Sequence, residues 1–548
     1  MSDHSDKQPL AELLALAGSG ASPVQLALIV LGAALATFVF AKLAVFTANS
    51  IRMARGLAKI PSAPGGIPLL GHVIPMITCV RRNKGAWDIM EEWMDATGPI
   101  VKYNILGTQG VVVRDPTAMK RVFQTGYKMY EKDLELSYRP FLPILGTGLV
   151  TSDGALWQKQ RMLMGPALRV EVLDDIIRIA KKAVDRLCEK LQPHAGSGQP
   201  VNIEEEFRLL TLQVIGEAVL SLGPEECDRV FPQLYLPVMN EANHRVLRPY
   251  RMYLPTPEWF RFRSRMAKLN SFLIDLFRRR WQARQSAGSK PKPADILDRI
   301  MEAIEESGAK WDSALEQQLC YEVKTFLLAG HETSAAMLTW STFELARNTE
   351  ATSKVVAEAD VAFGPGGERE ASRRAVDEML YTLAVLKEAL RKYSVVPVVT
   401  RKLAEDDPVG LLGHPLPRGI MIACHLQGTH RLYESPEEFR PDRFMPDGEY
   451  DQFDDAIRAY MFLPFIQGPR NCLGQHLALL EARVVLSLLQ RRFAFTLAPG
   501  SAPAHGHGHG SLPAVSAATV ANGLDLRHPT VIPVGPIGGL NVLLESRS

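Results

Sequence analysis

The segment Phe465-Ile-Gln-Gly-Pro-Arg-Asn-Cys-Leu-Gly474 is the most informative stretch of this sequence. Its glycines and its proline predict a tight turn, because these residues supply the backbone angles that turns require. Apolar residues then recur with helical spacing from Leu477 to Leu488. Cys472 is therefore expected just before the N-terminus of a helix, where backbone N–H groups and the helix dipole favour a thiolate.

Glycines at this turn would let a flat macrocycle approach the backbone, and Arg470 could pair with an anionic group. The segment resembles the haem-binding loop of the cytochrome P450 family, Phe-x-x-Gly-x-Arg-x-Cys-x-Gly, and matches every fixed position. The resemblance implies that Cys472 binds the iron of haem b, and that Phe465, Arg470 and Gly474 contact the cofactor. Ile466 departs from the family, which usually has a small or polar residue there.

Four further segments resemble the family and lie in its expected order along the chain. Two of them point to the haem propionates. Trp157-Gln-Lys-Gln-Arg161 places an aromatic ring and a cation on one helix face. By resemblance, Trp157 and Arg161 bind one propionate; the alternative is a common surface pair. In Pro397-Val-Val-Thr-Arg401, Arg401 is expected at the second propionate and the valines at the edge of the substrate pocket. A plain β-strand is compatible with both.

The third segment, Ala329-Gly-His-Glu-Thr-Ser334, lies in a long helical run. The pattern Ser313-x-x-Glu316 predicts a capping box at its start. Glycine inside a helix costs about 1 kcal/mol relative to alanine, so a glycine beside an acid and a hydroxyl suggests function.

The resemblance implies that this helix crosses the distal face of the haem. Ala329 and Gly330 would then contact the cofactor, with Gly330 leaving room for dioxygen. Thr333 and Glu332 are the catalytic candidates, relaying protons to the dioxygen. The alternative is that the Thr333 hydroxyl bonds back to the carbonyl of Ala329.

The fourth segment is Glu388-Ala-Leu-Arg391, on a helix with an apolar stripe. An i, i+3 ion pair is usually exposed and contributes ~0.2–0.5 kcal/mol. The resemblance implies instead a buried structural triad of Glu388, Arg391 and Arg443 near the cysteine loop.

Composition excludes several classes of protein. Hydrophobic residues make up 46% and charged residues 22% of the 548 residues, as in globular proteins. The net charge of +2, without a basic stripe or zinc-finger spacing, argues against a nucleic-acid partner. The six cysteines show no paired spacing, which favours a reducing compartment over a disulfide framework.

The N-terminal region predicts a membrane anchor. No charged residue occurs from Leu13 to Ala41, and a bilayer core of ~30 Å needs about 20 apolar residues. Basic residues after the run and acidic residues before it place the long C-terminal part in the cytoplasm, on a single-pass protein. The endoplasmic reticulum is the membrane typical of the family. A signal peptide, a transit peptide and a buried core helix are the alternatives.

The sequence predicts the following division of the chain into segments. Residues 1–22 form a short tail, 23–48 the transmembrane anchor, 49–68 a Pro/Gly-rich linker, and 69–548 a haem-thiolate monooxygenase domain. A His/Gly-rich flexible insert lies at about 499–523. Hydrophobic periodicity predicts an α+β fold, predominantly helical with small β-sheets, as in cytochromes P450.

The resemblance implies insertion of one oxygen atom from O2 into an apolar small-molecule substrate. No Gly-x-Gly-x-x-Gly fingerprint is present, so electrons are expected from a separate NADPH-dependent reductase. The alternatives are a haem-thiolate isomerase, dehydratase or desaturase, and a membrane-tethered binding protein in which Cys472 is only a buried thiol.

Overall fold

The computed structural model describes residues 23–547, except for 69, 83, 169, 287–292 and 499–532. The predicted tail at 1–22 and the His/Gly-rich insert at about 499–523 therefore lie outside the described residues.

Helices dominate the described chain, which confirms the predicted helical α+β fold. The α-helices are α1 (Pro23–Gly56), α2 (Val73–Arg81), α3 (Ala86–Thr97), α4 (Pro116–Lys120), α5 (Leu142–Leu145), α6 (Gly154–Met164), α7 (Val170–Leu191), α8 (Ile203–Leu220), α9 (Pro224–Val230), α10 (Leu236–Leu247), α11 (Pro257–Ser286), α12 (Ile296–Glu306), α13 (Ser313–Leu345), α14 (Thr349–Phe363), α15 (Arg373–Asp377), α16 (Leu380–Tyr393), α17 (Leu426–His430), α18 (Arg458–Met461) and α19 (Gln475–Arg492). Short 3₁₀ or π segments occupy Arg121–Thr125, Pro166–Leu168, Gln192–His194, Phe231–Tyr235, Pro249–Met252, Pro441–Phe444 and Glu449–Gln452.

The strands form small sheets at the edges of the helical body. They are β1 (Ile100–Ile105), β2 (Thr108–Val113), β3 (Tyr130–Lys132), β4 (Val201–Asn202), β5 (Val398–Leu403), β6 (Asp407–Leu411), β7 (His414–Leu416), β8 (Met421–His425), β9 (Phe493–Leu497) and β10 (Asn541–Ser546). One sheet has the order β1-β2-β8-β5-β3, a second β4-β10-β9, and β6 pairs with β7. Among the described strands, the β2–β8 pairing is parallel and the others are antiparallel. The β3–β5 register places Lys132 opposite Arg401.

Helix α13 is the central element of the core. Most of its 33 residues are buried, as expected for a helix that is apolar on several faces. Its Gly330 permits close packing on α8, because a Cβ there would lie 2.8 Å from the side chain of Ile215. Near its C-terminal end, the Trp340 ring stacks on Tyr393 of α16 with centroids 4.2 Å apart.

One local expectation from the sequence is wrong. The capping box at Ser313 does not form: Asp312 is the N-cap and accepts from the Leu315 N–H, while Glu316 pairs with Arg278. Aspartate and serine are comparable N-cap residues, so the sequence pattern left the choice between them open.

Helix α1 is long and apolar enough to cross a membrane, with a mean hydropathy of 2.3 over its most apolar part. It continues to Gly56, into the segment predicted to be linker. Its end contacts the globular body: the Arg52 guanidinium donates to the Arg418 carbonyl at 2.8 Å, and the Gln109 side chain donates to the Ser50 carbonyl. The irregular part of the predicted linker therefore begins only after the helix has reached the body.

Candidate active site

A cavity of about 360 Å³ lies between α13, the cysteine loop and β5. Every residue predicted to hold the cofactor lines it, namely Trp157, Arg161, Ala329, Gly330, Arg401, Phe465, Arg470, Cys472 and Gly474. These residues come from separate parts of the chain, so the fold brings together what the motifs predicted one by one.

The cysteine loop is closed by backbone hydrogen bonds. The Cys472 N–H donates to the Phe465 carbonyl at 2.8 Å, which folds the loop back on itself. Gly468 has φ +78°, and a Cβ there would lie 2.1 Å from the Phe123 carbonyl oxygen, so only glycine fits. Ile466 has φ +57°, a left-handed conformation that is unfavourable for a β-branched residue. The departure from the family pattern at Ile466 is thus also a point of backbone strain.

Cys472 lies three residues before the start of α19 at Gln475. Its thiol is exposed to the cavity, although the surrounding protein encloses it. Burial raises the pKa of the thiol, while the Gly474 backbone N–H and the Arg161 guanidinium lower it. A Cβ on Gly474 would meet nothing within 4 Å, so this glycine borders open space beside the thiol.

Two of the predicted cations are fixed by protein partners. Arg161 donates to the carbonyl and the side-chain oxygen of Asn471, at 2.8 and 2.6 Å, which links α6 to the cysteine loop. Arg470 forms an ion pair with Asp153 and lies over the Trp157 ring. Asp153 therefore already neutralises part of the charge that the sequence assigned to a propionate.

Arg401 and Lys132 form a second cationic pair on adjacent strands. Arg401 is 3% exposed and donates one hydrogen bond to the Thr400 carbonyl. Lys132 donates to the Leu149 carbonyl at 2.8 Å, and burial lowers its pKa to about 7, with a further contribution from Arg401. No local sequence pattern predicts Lys132 at the cavity, because the β3–β5 register brings it there.

The cavity fits haem b. Its lining carries the cations Lys132, Arg161, Arg401 and Arg470, and no aspartate or glutamate among the described residues. Such a wall favours an anionic ligand, and the propionates of haem b supply carboxylates of the right charge. The Cys472 thiol is the ligand type that haem-thiolate iron requires, and it is the one thiol in the described lining.

The motif on α13 is only partly directed at the cavity. Thr333 lines the cavity, and its hydroxyl donates to the Ala329 carbonyl at 2.6 Å. Glu332 does not line it. The Glu332 carboxylate pairs with Arg208 of α8 at 3.2 Å and borders a separate polar pocket that Arg208 and Glu204 also line. The two residues predicted to act together thus face different sides of the helix.

The predicted structural triad is assembled and buried. Glu388 accepts from the Arg391 guanidinium at 2.7 and 2.9 Å, and from the Arg443 Nε at 3.2 Å. None of the three residues is more than 3% exposed. Arg391 also donates to the Pro436 carbonyl, which ties α16 to the segment leading toward the cysteine loop.

Comparison with known proteins identifies the family. The family model "Cytochrome P450" matches residues 61–510. Cytochrome P450 4c21 of Blattella germanica is 28% identical over 84% of this chain and 92% of its own length. Human Cytochrome P450 4V2 is 26% identical over 81% of this chain and 86% of its own. Carotene epsilon-monooxygenase, chloroplastic, of Arabidopsis thaliana is 28% identical over 74% of this chain and 76% of its own.

Together with α1, these similarities support membrane anchoring. At the family level they also imply O2, a small-molecule substrate and a redox partner. On the family match, the chain belongs to the haem-b-dependent monooxygenases of the cytochrome P450 family.

Proposed function

We propose that Cys472 would supply the thiolate ligand of haem b, and that the enzyme inserts oxygen into an apolar substrate held against α13. The observation that carries this proposal is the convergence of a single thiol and several cations on one cavity without a carboxylate in its described lining. Bound haem b supplies oxygen activation, which an axial thiolate promotes by donating electron density to the iron.

The cations are proposed to hold the propionates. Arg401 and Lys132 each retain donor capacity toward the cavity, since each gives one hydrogen bond to a backbone carbonyl. Trp157 and Arg161 flank the same wall from α6. Arg470 contributes through a shared network with Asp153, and its role is to fix the loop as well as to balance charge.

The ligand assignment is tested with two cysteine variants. In the purified wild type, reduction and exposure to carbon monoxide should produce the red-shifted absorption of a thiolate-bound haem. Cys472→Ser should lose this band, because a hydroxyl is not equivalent to a thiolate as a ligand. Cys188→Ser is the matched control, since Cys188 is a buried thiol in α7, remote in sequence and outside the cavity lining. A Cys472→Ser protein with an unchanged band would refute the assignment.

Thr333 is proposed to pass protons into the cavity, with Glu332 supplying them from the polar pocket. For this, the Thr333 hydroxyl must rotate from the Ala329 carbonyl, and Glu332 must part from Arg208. Thr333→Ala should raise the peroxide released per NADPH consumed. Thr339→Ala is the control: its hydroxyl makes the same bond to the carbonyl four residues earlier, but away from the cavity lining. Equal coupling in both variants would remove Thr333 from the relay.

The substrate is proposed to be apolar and to reach the cavity from the membrane. The cavity wall includes Leu149, Ile215, Phe326 and Val396, which provide dispersion contacts and few hydrogen bonds. A fatty acid, a sterol and a carotene are suitable probes, the last because a relative is named for carotene. Each is titrated into the enzyme while the haem spin state is followed. Binding of small hydrophilic compounds alone would contradict the proposal.

Electrons are proposed to come from a separate NADPH-dependent reductase, and the catalytic domain to face the cytoplasm from the endoplasmic reticulum. The sequence that follows the anchor helix, from Gly56 onward, contains no Gly-x-Gly-x-x-Gly dinucleotide-binding fingerprint. Protease protection in sealed microsomes tests the orientation. A tag on the globular body should be digested in the absence of detergent, because the added protease reaches only the cytoplasmic face.

A second candidate is a haem-thiolate isomerase, dehydratase or desaturase. One observation favours it: Thr333 and Glu332 are both engaged with other groups and do not form a ready relay. Isotopically labelled dioxygen separates the candidates, because only a monooxygenase places one labelled atom in the product.

A further inference from the structure

The loop between α5 and α6 packs against α13 at the wall of the cavity. Gly148 lies so close to this helix that a Cβ there would be 2.6 Å from the Thr325 hydroxyl oxygen and 3.1 Å from the Tyr321 carbonyl oxygen. The next two residues of the loop, Leu149 and Val150, line the cavity. The position of this loop on α13 therefore determines where part of the cavity wall lies.

The backbone of Leu149 is held from two directions by an acid and a base. Its N–H donates to Oε2 of Glu322, on α13, at 3.0 Å. Its carbonyl accepts from Nζ of Lys132, on β3, at 2.8 Å. Glu322 is 1% exposed, so it satisfies a backbone N–H at a place where an unpaired polar group would be costly. These two contacts are here called the Leu149 clamp.

A second set of contacts fixes Glu322 itself. Gln318, one turn earlier on α13, donates to Oε1 of Glu322 at 2.8 Å. The Gln318 amide also donates to the Thr147 carbonyl at 3.1 Å and accepts from the Thr147 hydroxyl at 2.7 Å. The loop is thus bound to α13 at both Thr147 and Leu149, and Glu322 takes part in both connections.

The clamp does not require a charged Glu322. Burial raises the pKa of Glu322 to about 7, whereas its hydrogen bonds and the Lys132 ammonium lower it. A carboxyl group retains an oxygen that accepts a hydrogen bond whether or not it is protonated. Glutamine, which has an amide oxygen at the same position, is therefore the conservative replacement.

We propose that Glu322 is a positioning residue for the substrate. By holding the Leu149 backbone, it fixes the Leu149 and Val150 side chains in the wall against which the apolar substrate lies. Glu322 is outside the cavity lining, so it acts through Leu149. The loop is ordered before the substrate binds, and binding therefore does not include the entropic cost of ordering it. The inference rests on the haem-thiolate function proposed above.

Hydrogen exchange of the Leu149 amide, resolved to single residues by mass spectrometry, tests the clamp in the holoenzyme. In the wild type this amide should be protected. Glu322→Ala removes its acceptor and should speed its exchange about tenfold, as expected for the loss of one hydrogen bond to a buried carboxyl group. Glu322→Gln should keep most of the protection. Unprotected exchange of the Leu149 amide in the wild type would overturn the proposal without any measurement of activity.

Substrate binding tests the positioning role. Of the fatty acid, sterol and carotene probes, the one that binds the wild type most tightly is titrated into each variant while the haem spin state is followed. KM and kcat are then measured with a reconstituted reductase. Glu322→Ala should raise the dissociation constant and KM about tenfold and change kcat by less than about twofold, because the clamp orders the wall and not the reacting atoms. Glu322→Gln should restore most of the affinity.

Two further variants separate this role from general stability. Glu316→Ala removes another buried acid of α13, which pairs with Arg278 outside the cavity lining, and should leave Leu149 exchange and substrate affinity unchanged. Gln318→Ala truncates a partly exposed side chain, so folding should be intact, and it should speed Leu149 exchange by a smaller factor than Glu322→Ala. If Glu322→Ala does not yield holoenzyme, unchanged Leu149 exchange in Gln318→Ala would overturn the proposal.

The outcomes distinguish the two proposals. A wild type without the carbon monoxide band would refute haem-thiolate ligation itself. A wild type with the band, together with a Glu322→Ala holoenzyme of normal Leu149 exchange and KM, would overturn only the role of Glu322. A fall in kcat at unchanged KM would also overturn it, since a reaction step and not the substrate wall would then depend on Glu322.

Discussion

Replacing Glu388 by alanine should prevent stable haem incorporation. The carboxylate accepts hydrogen bonds from Arg391 and Arg443 and from the Arg440 backbone N–H at 2.9 Å, in a site that is 0% exposed. Its removal leaves Arg391 as a buried cation whose remaining described hydrogen-bond partners are backbone carbonyls. Arg443 keeps Glu449 as a partner, so its charge stays balanced.

The expected loss of stability follows from this difference between Arg391, which loses its carboxylate partner, and Arg443, which keeps one. Removing one partner of a buried ion pair costs ~3–5 kcal/mol, whereas a whole domain has only ~5–15 kcal/mol of stability. Because the loss falls on the segment beside the cysteine loop, the purified variant should contain little haem per polypeptide and lack the carbon monoxide band. Haem content by pyridine haemochrome and the thermal unfolding midpoint are the measurements.

Two variants test the reasoning behind this magnitude. Asp175→Ala breaks an ion pair with Arg178 in which both side chains are about half exposed, and should change neither measurement. Glu388→Met combined with Arg391→Met removes both charges of the pair and should be less damaging than Glu388→Ala, since no unpaired cation remains. A Glu388→Ala protein with full haem content and an unchanged unfolding midpoint would refute the argument from burial.

Three further outcomes are expected. Ile466→Gly should be ~1 kcal/mol more stable than Ile466→Ala, and should therefore unfold at a higher temperature, because alanine keeps the left-handed backbone strain. A lower unfolding temperature for Ile466→Gly would show that this backbone position is unstrained. Lys132→Met should release haem to apomyoglobin faster than Lys132→Arg, which keeps a cation; equal rates would remove Lys132 from the propionate site. Glu481→Gln should gain stability relative to the wild type as the pH rises from 4.5 to about 8, because the fold favours the neutral acid, and this gain should level off above that pH. A difference in the free energy of urea unfolding that does not change with pH would contradict burial of the acid.

The cysteine loop could be predicted from the sequence because the residues that determine its structure lie next to one another in the chain. Turn residues, the cysteine and the following apolar periodicity occupy one continuous stretch, and the observed loop and α19 follow it. The triad could be predicted only with the family resemblance, since Glu388 and Arg391 alone look like an ordinary exposed pair. Burial, which gives the triad its energetic importance, depends on elements far apart in sequence.

Contacts set by the tertiary fold could not be predicted in this way. Lys132 reaches the cavity through a strand register, and Ser334 meets Glu481 through packing of two helices. Neither residue belongs to a recognisable local pattern. Asp153 illustrates the same limit: it caps α6 and also neutralises Arg470, and the sequence predicted the arginine without its partner.

The orientation of Glu332, in contrast, follows from helix geometry alone. Residues of an α-helix advance about 100° each, so a cavity on one side of α13 meets positions i, i+3, i+4, i+7 and i+8, and Glu332 does not fall in this set when i is Phe326. The cavity-lining positions on α13 are Phe326, Ala329, Gly330, Thr333, Ser334 and Met337, a stripe with helical spacing. Glu332 lies off this stripe, toward α8, where Arg208 meets it. Any acid that reaches the cavity directly must therefore come from another element of the fold.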